Sequence, residues 1–350
     1  MNGGKVPSHA EITERLCAPG QFFEIETVEV SGIATRVWRH APRCLPDVLE
    51  QGKSNGGDRD FIRLGEERLI HAEHFTQVTA LAVRLRDELG VAKGDCVAIA
   101  MRNLPEWSIA FFAATMIGAV AVPLNSMWNG AEMAFGVADS GASVLIADGE
   151  RLERLAPHVT GFRHMKIIGT RLEDRKGLGE LPADITSLAA LTDGVRAARP
   201  EVDISPDDHA TIFHATGCHS ILLAQAFFGG TLVFMRKWDP ERALDLIEEH
   251  GVTLLAGVPS MVWDLANSPT MQNRDLRTLT SLGAGGAAAP RELVRRPELR
   301  EFLLGPLAPF KVPAHIWFVE ESMPRSLTGK LLKRELRRRF VAEPVTAGGA

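Results

Sequence analysis

Lys330 stands in the one stretch whose residue types follow one another for a chemical reason. Pro313 and the apolar run Ile316 to Val319 read as a short strand, and Pro324 stops it. Ser326, Thr328 and Gly329 then form a flexible turn that presents Lys330 just before a helical run, Leu331 to Arg339. A lysine on such a turn is a mobile cation that can be swung onto developing negative charge. Further candidates sit where predicted strands end: His214, after the strand at Ala210 to Phe213; Val258 and Pro259, in Gly257-Val258-Pro259-Ser260; and Gly285, Gly286 and Ala287. Taken alone, Lys330 fits a solvated basic tail, His214 a satisfied structural histidine, and Gly283 to Gly286 a strand-ending turn. His209, His214 and His219 share no helix face, and no metal site is read from them.

The elements that must hold these residues are legible as periods. Phe75, Val78, Leu81, Leu85 and Leu89 recur at helical spacing, with Gly90 as a stop. A Lys93-Gly94-Asp95 turn leads into a strand, Cys96 to Met101, and Asn103 and Pro105 start a helix over 104–117. Strands at Ala119 to Val122, Ala142 to Ala147 and Met165 to Ile168 follow, separated by helices. Strands alternating with helices at this spacing predict a parallel sheet wrapped on both faces. The segment 171–208 is charged and aperiodic and marks a boundary. A helix through Leu222 to Phe228 and a strand at Thr231 to Met235 then resume the pattern. Asp239 caps a helix with Pro240 in its first turn and Gly251 at its end. Val252 to Ala256, a helix after Pro259 and a strand leading to Gly283 complete a second block. The expected organisation is an irregular region 1–60, a first α/β block 61–205, a second block 206–296, and a C-terminal piece 297–350.

The chain of 350 residues is 45% hydrophobic and 24% charged, which suits a globular protein with substantial cores. A net charge of -5 argues against a nucleic-acid binder, although Lys330, Lys333, Arg334 and Arg337 to Arg339 make the end locally basic. Cys17, Cys44, Cys96 and Cys218 form no metal or Cys-x-x-Cys pattern, and the first residues lack the apolar core of a signal peptide, so a cytoplasmic protein with reduced thiols is expected. Trp107 to Pro123 is apolar but falls short of the roughly 20 residues a spanning helix needs. No transmembrane segment is read. Gly52-Lys53-Ser54 lacks the glycine five residues before the lysine and is rejected as a phosphate loop. With no tyrosine in the chain, a phenol takes no part in its chemistry.

The stretch Phe310-Lys311-Val312-Pro313 through Pro324-Arg325-Ser326-Leu327-Thr328-Gly329-Lys330 to Lys333-Arg334 closely resembles the C-terminal signature of the adenylate-forming, AMP-binding acyl-CoA synthetases. Lys93-Gly94-Asp95-Cys96-Val97-Ala98, Asn103-Leu104-Pro105-Glu106-Trp107, Gly118 to Asn125, Gly229-Gly230-Thr231, Gly257 to Ser260 and Gly283 to Pro290 resemble further signatures of fatty-acyl and related CoA ligases, in family order. The resemblance implies ATP-dependent adenylation of a carboxylic acid, fatty acyl among the candidates, followed by thioester formation with CoA. It implies ATP, Mg2+ and CoA as cosubstrates and metal. It implies Lys330 as the adenylation lysine, Gly285, Gly286 and Ala287 beside the nucleotide, and His214, Val258 and Pro259 at the acyl pocket. It also makes the C-terminal piece a remnant of a small α+β domain.

Adenylation needs a backbone-rich loop around the triphosphate, an acidic ligand for magnesium and a carboxylate for the ribose. Here Ala210-Thr211-Ile212 passes straight to Phe213-His214, so the family's phosphate loop is missing. After Ala287 the chain runs from Arg291 to Pro297 and into the final signature without the family's Gly-x-Thr-Glu and Thr-Gly-Asp motifs. Three readings stand: a working ligase, a noncatalytic relative that binds acyl chain, CoA or a partner, and a deletion product. Loss of adenylation on an inherited fold is the preferred one. Excision of packed elements would uncover apolar faces, which predicts self-association.

Overall fold

A computed structural model describes residues 8–30, 32–161, 165–175, 185–206, 208–211 and 217–284. Its first elements are α1 (His9–Leu16), the hairpin β1 (Ile25–Val30) and β2 (Ile33–Trp38), and α2 (Leu45–Gly56). Residues 1–60, expected to be irregular, are therefore ordered over most of their described length. Ser8 and Glu11 close a capping box on α1, with Ser8 N–H donating to Glu11 Oε2 at 2.5 Å. The glycines that look like loop composition in α2 have a packing reason. A Cβ on Gly52 would lie 1.5 Å from the Ala226 carbonyl oxygen, and one on Gly56 would strike the His71 ring.

Next come β3 (Asp60–Leu64), β4 (Glu67–Ile70) and α3 (His71–Val83), which runs on through a π turn, Arg84–Glu88, to a left-handed Gly90. The expected alternation follows: β5 (Cys96–Ala100), α4 (Pro105–Met116), β6 (Val120–Pro123), α5 (Gly130–Asp139), β7 (Val144–Asp148), α6 (Gly149–Leu155) and β8 (Lys166–Thr170). The aperiodic stretch adds one more short strand, β9 (Ile185–Ser187), and α7 (Leu188–Thr192). These five strands form one parallel sheet in the order β6-β5-β7-β8-β9.

Alternation within the strands explains why both faces are covered. Val97, Ile99, Val144, Ile146 and Ile168 join a core with Val78 and Leu81 of α3 and Ile109 and Phe112 of α4. Ala98, Ala100, Leu145, Ala147 and Ile167 face the other way, onto Met133 and Val137 of α5 and Leu152 and Leu155 of α6. The apolar run beginning at Trp107 is thus a helix buried on all sides followed by a sheet strand. Among the described residues no helix is long and apolar enough to cross a membrane. The chain is α/β, as the alternation predicts.

The remaining elements are α8 (Leu223–Phe228), β10 (Leu232–Val233), α9 (Pro240–His250), β11 (Leu254–Gly257), α10 (Pro259–Ala266) and β12 (Ser281–Ala284). β10 does not stay with its sequence neighbours. It pairs in parallel with β3, while α8 packs on α2. β11 and β12 form a separate parallel pair under α9 and α10.

Candidate functional site

Of the residues singled out by sequence, Lys330, Gly285, Gly286, Ala287 and His214 lie outside the described residues. Val258 and Pro259 open α10. Val258 holds the extended cap conformation, φ -89° and ψ 157°, and Pro259 occupies the first helical turn, where a missing N–H costs nothing. Gly257 is paired with Ala284, so the chain leaves for Val258 and for Gly285 from the same carboxyl end of two parallel strands. That is the end at which open α/β sheets bind ligands. Thr211 bridges to Ala121 at the free edge of β6, and Ala121 N–H donates to the Ala210 carbonyl at 2.9 Å. The segment that precedes His214 is therefore anchored beside the five-stranded sheet.

A second carboxyl end carries a charged cluster that sequence reading passed over. In the five-stranded sheet β5 lies between β6 and β7, with α4 departing over one face and α5 over the other, so the order reverses at the β5/β7 crevice. Asp148 ends β7 there, and its side chain is 4% exposed. Its Oδ1 accepts the Arg151 backbone N–H at 2.9 Å, capping α6, and its Oδ2 accepts the Arg102 backbone N–H at 2.9 Å. Both oxygens accept Arg151 Nη1, at 3.0 and 2.9 Å. Arg151 Nε donates to the Ser126 carbonyl at 3.1 Å, and Arg154 Nη1 donates to the Trp128 carbonyl at 3.2 Å.

Three guanidiniums, those of Arg102, Arg151 and Arg154, gather here with two carboxylates, Asp148 and Glu150, and Glu150 pairs with both Arg151 and Arg154. Arg151 is 1% exposed and its Nη1 also lies 3.1 Å from Glu150 Oε2, yet its Nη2 has no hydrogen-bond partner among the described residues. Arg102, half-buried at the mouth of the crevice, turns Nη1 to the Met127 sulfur at 2.7 Å and makes no carboxylate ion pair among the described residues. Burial and then the neighbouring Arg151 hold the Arg102 guanidinium below its ordinary value. Such an arrangement favours an incoming oxyanion, which would relieve repulsion between like charges. The only local signal was Asp148-x-x-Arg151-x-x-Arg154 directly after a strand. Its link to Arg102 is through the sheet and cannot be read from spacing.

At the end of β8 the charges are balanced instead. Arg171 holds φ 50°, donates through Nη1 to Glu67 Oε1 at 2.8 Å and through Nε to Glu106 Oε1 at 2.6 Å. It ties β8 to the β3–β4 hairpin and to the first turn of α4. Among the described residues no group of three His, Cys, Asp or Glu side chains converges to hold a metal ion.

An open parallel sheet with helices on both faces places the chain in the α/β class, and the comparisons narrow it. The sequence model described as AMP-binding enzyme matches residues 49–213 and 185–300, and the chain belongs to that family. It is 32% identical over 261 residues to a feruloyl-CoA synthase of Amycolatopsis sp, covering 67% of this chain and 52% of that protein. It is 27% identical to 4-coumarate–CoA ligase 5 of Oryza sativa subsp. japonica, covering 71% of this chain and 56% of the relative. The chain thus spans about half the length of these curated relatives. In fold it resembles a long-chain-fatty-acid-CoA ligase (FadD1) from Archaeoglobus fulgidus, with a TM-score of 0.63, 18% identity, and 76% and 61% of the two chains covered. The N-terminal domain of FACL13 from Mycobacterium tuberculosis gives a TM-score of 0.60 at 21% identity, over 73% of this chain and 72% of that one.

Proposed function

We propose that this chain is an acyl-CoA synthetase relative that has lost adenylation and retains recognition of a phosphate-bearing acyl carrier of the CoA type. The observation that carries the reading is the pair Arg102 and Arg151: among the described residues, an arginine without a carboxylate ion pair beside a buried guanidinium with an unused donor, at the β5/β7 crevice. Guanidiniums of this kind suit phosphate oxygens. Arg102 makes the contact at the mouth, and Asp148 and Ser126 hold Arg151 in place behind it.

The loss of adenylation is argued from sequence. The family's phosphate loop has no counterpart between Ala210 and Phe213, and the family match falls into two pieces that overlap over residues 185–213, around the same join. Without that loop and the magnesium glutamate, Lys330 has no positioned substrate to act on. The carboxylic acid that the family adenylates, an aryl acid as in the feruloyl- and coumarate-handling relatives or a fatty acid, then has at most a binding role.

Calorimetry with CoA, dephospho-CoA and ATP, on protein of verified intact mass, tests the binding half. CoA should bind, and Arg102→Glu should abolish it while Arg102→Lys restores part. Carboxylate-dependent ATP–pyrophosphate exchange, with ferulate, coumarate or a fatty acid, tests the other half and should be absent. Exchange that Lys330→Ala removes would refute the loss of adenylation, and CoA binding indifferent to Arg102→Glu would refute the crevice.

A further inference from the structure

Among the described residues, the two-stranded sheet of β11 and β12 is covered on one face only. Leu255 and Leu282 are register partners, and both pack under the helices, Leu255 with Leu244 and Leu265, and Leu282 with Val262. Leu254, Ala256 and Val258 alternate with them and turn to the opposite face. There Leu254 is 44% and Val258 39% exposed, and Ala256 is exposed as well. Across the register lie Ser281 beside Leu254 and Gly283 beside Ala256. The result is a shallow strip, small-sided along its middle and bounded by two aliphatic side chains. Parallel sheets are almost always buried on both faces, because their crossover connections put cover there. This one lacks its second cover among the described residues.

We infer that the strip is the docking site for the apolar run Ile316 to Val319 of the same chain. The chain supplies the argument for that occupant. Ala284, the last described residue, ends β12 at the strip itself, paired with the residue that precedes Val258. An extended chain covers about 3.3 Å per residue, so the residues between Ala284 and Ile316 are ample to return across two strands. Ile316-Trp317-Phe318-Val319 brings two aromatic rings and two β-branched side chains, and a surface of Ala256, Ser281 and Gly283 leaves room for flat rings to lie against backbone. Tethering also raises the local concentration of this run to about the millimolar range, above that of any second copy at ordinary working concentrations. The inference does not rest on the CoA reading, since neither Arg102 nor Arg151 touches this sheet.

Photo-crosslinking of the full chain decides it. p-Benzoylphenylalanine placed at Leu254, an exposed position at the edge of the strip that leaves its small-sided middle free, should crosslink within one chain to a peptide containing residues 316–319. Trp317→Asp combined with Phe318→Asp should abolish that product. The same probe at Val258, at the other edge, provides an independent site should the first variant fold poorly. Crosslinking chiefly between two chains, with a yield that rises with protein concentration, would overturn the inference in favour of a second copy. Crosslinking to another part of the chain, or none from either site, would overturn it too.

Discussion

Arg151 and Asp148 face each other one helical turn apart with side chains 1% and 4% exposed, and Nη1 of the one lies 2.9 Å from Oδ2 of the other. The carboxylate does three jobs at once. It caps α6, neutralises a buried guanidinium, and takes the backbone N–H of Arg102 from the neighbouring strand's loop. Removing it therefore loses more than an ion pair.

Asp148→Ala should lower the unfolding free energy by about 3–5 kcal/mol, the usual penalty for leaving a buried charge unpaired. Asp148→Asn keeps an oxygen for the cap and should cost less. Urea denaturation of the two variants beside the parent protein checks the order.

Gly52→Ala should be destabilising although alanine favours helices. The added Cβ would fall 1.5 Å from the Ala226 carbonyl oxygen, so α2 and α8 must separate, at a cost of about 1–3 kcal/mol. Ser54→Ala, two residues on at an exposed position, should stay within about 0.5 kcal/mol of the parent. The comparison isolates packing from propensity.

His74 should make the fold acid-sensitive. Its ring is fully buried between Phe61 and Phe112, with Nε2 2.8 Å from Ser108 Oγ, and burial lowers its pKa from 6.5 to about 3. Above pH 6.5 the ring is neutral in both folded and unfolded chains. Below it the unfolded chain takes up a proton that the folded chain refuses, so stability falls by about 1.4 kcal/mol per pH unit until about pH 3. At pH 5 the loss is about 2 kcal/mol. His71, also lowered by burial, adds in the same direction. His74→Gln should flatten the dependence between pH 7 and 5, whatever it does to stability at pH 7.

Arg171→Ala should cost more than Arg171→Gly. Both lose the bonds to Glu67 and Glu106 and leave the Glu106 carboxylate, whose Oε2 already lacks a partner among the described residues, without its cation. Only glycine accepts φ 50° freely, which should spare that variant about 1 kcal/mol. Thermal melts of the pair read the difference directly.

The sheet of the first block was legible in sequence because its strands and helices are short, periodic and punctuated. Asp239, Pro240 and Gly251 bound α9 as they should, the aspartate accepting the Arg242 N–H at 3.0 Å and the glycine holding φ 60°. Reading failed where the reason for a residue lies elsewhere in the chain. Gly52 and Gly56 look like linker composition until Ala226 and His71 are seen against them. β9 is three residues long and owes its place to β8, and the run expected over Thr231 to Met235 is a strand only at Leu232 and Val233, where β3 meets it. The same limit applies to the site. Val258 and Pro259 stand where a turn into a helix was expected, whereas the partnership of Arg102 with Asp148 crosses 46 residues and two strands.

The pairing of β10 with β3 also bears on the order in which the molecule can be assembled. Thr231 Oγ1 donates to the Asp60 carbonyl across 171 residues, at 2.7 Å. At cellular elongation rates that interval takes on the order of 10–30 s, far longer than a hairpin or helix needs to form. During synthesis β3 and β4 must wait as a two-stranded ribbon while the whole five-stranded sheet is made and threaded past them. The nascent chain carries an open hydrogen-bonding edge for that time, and a ribosome stalled before residue 232 would leave it uncapped. Chaperone dependence of this protein should therefore be set by translation speed through residues 65–231 rather than by the stability of the finished fold.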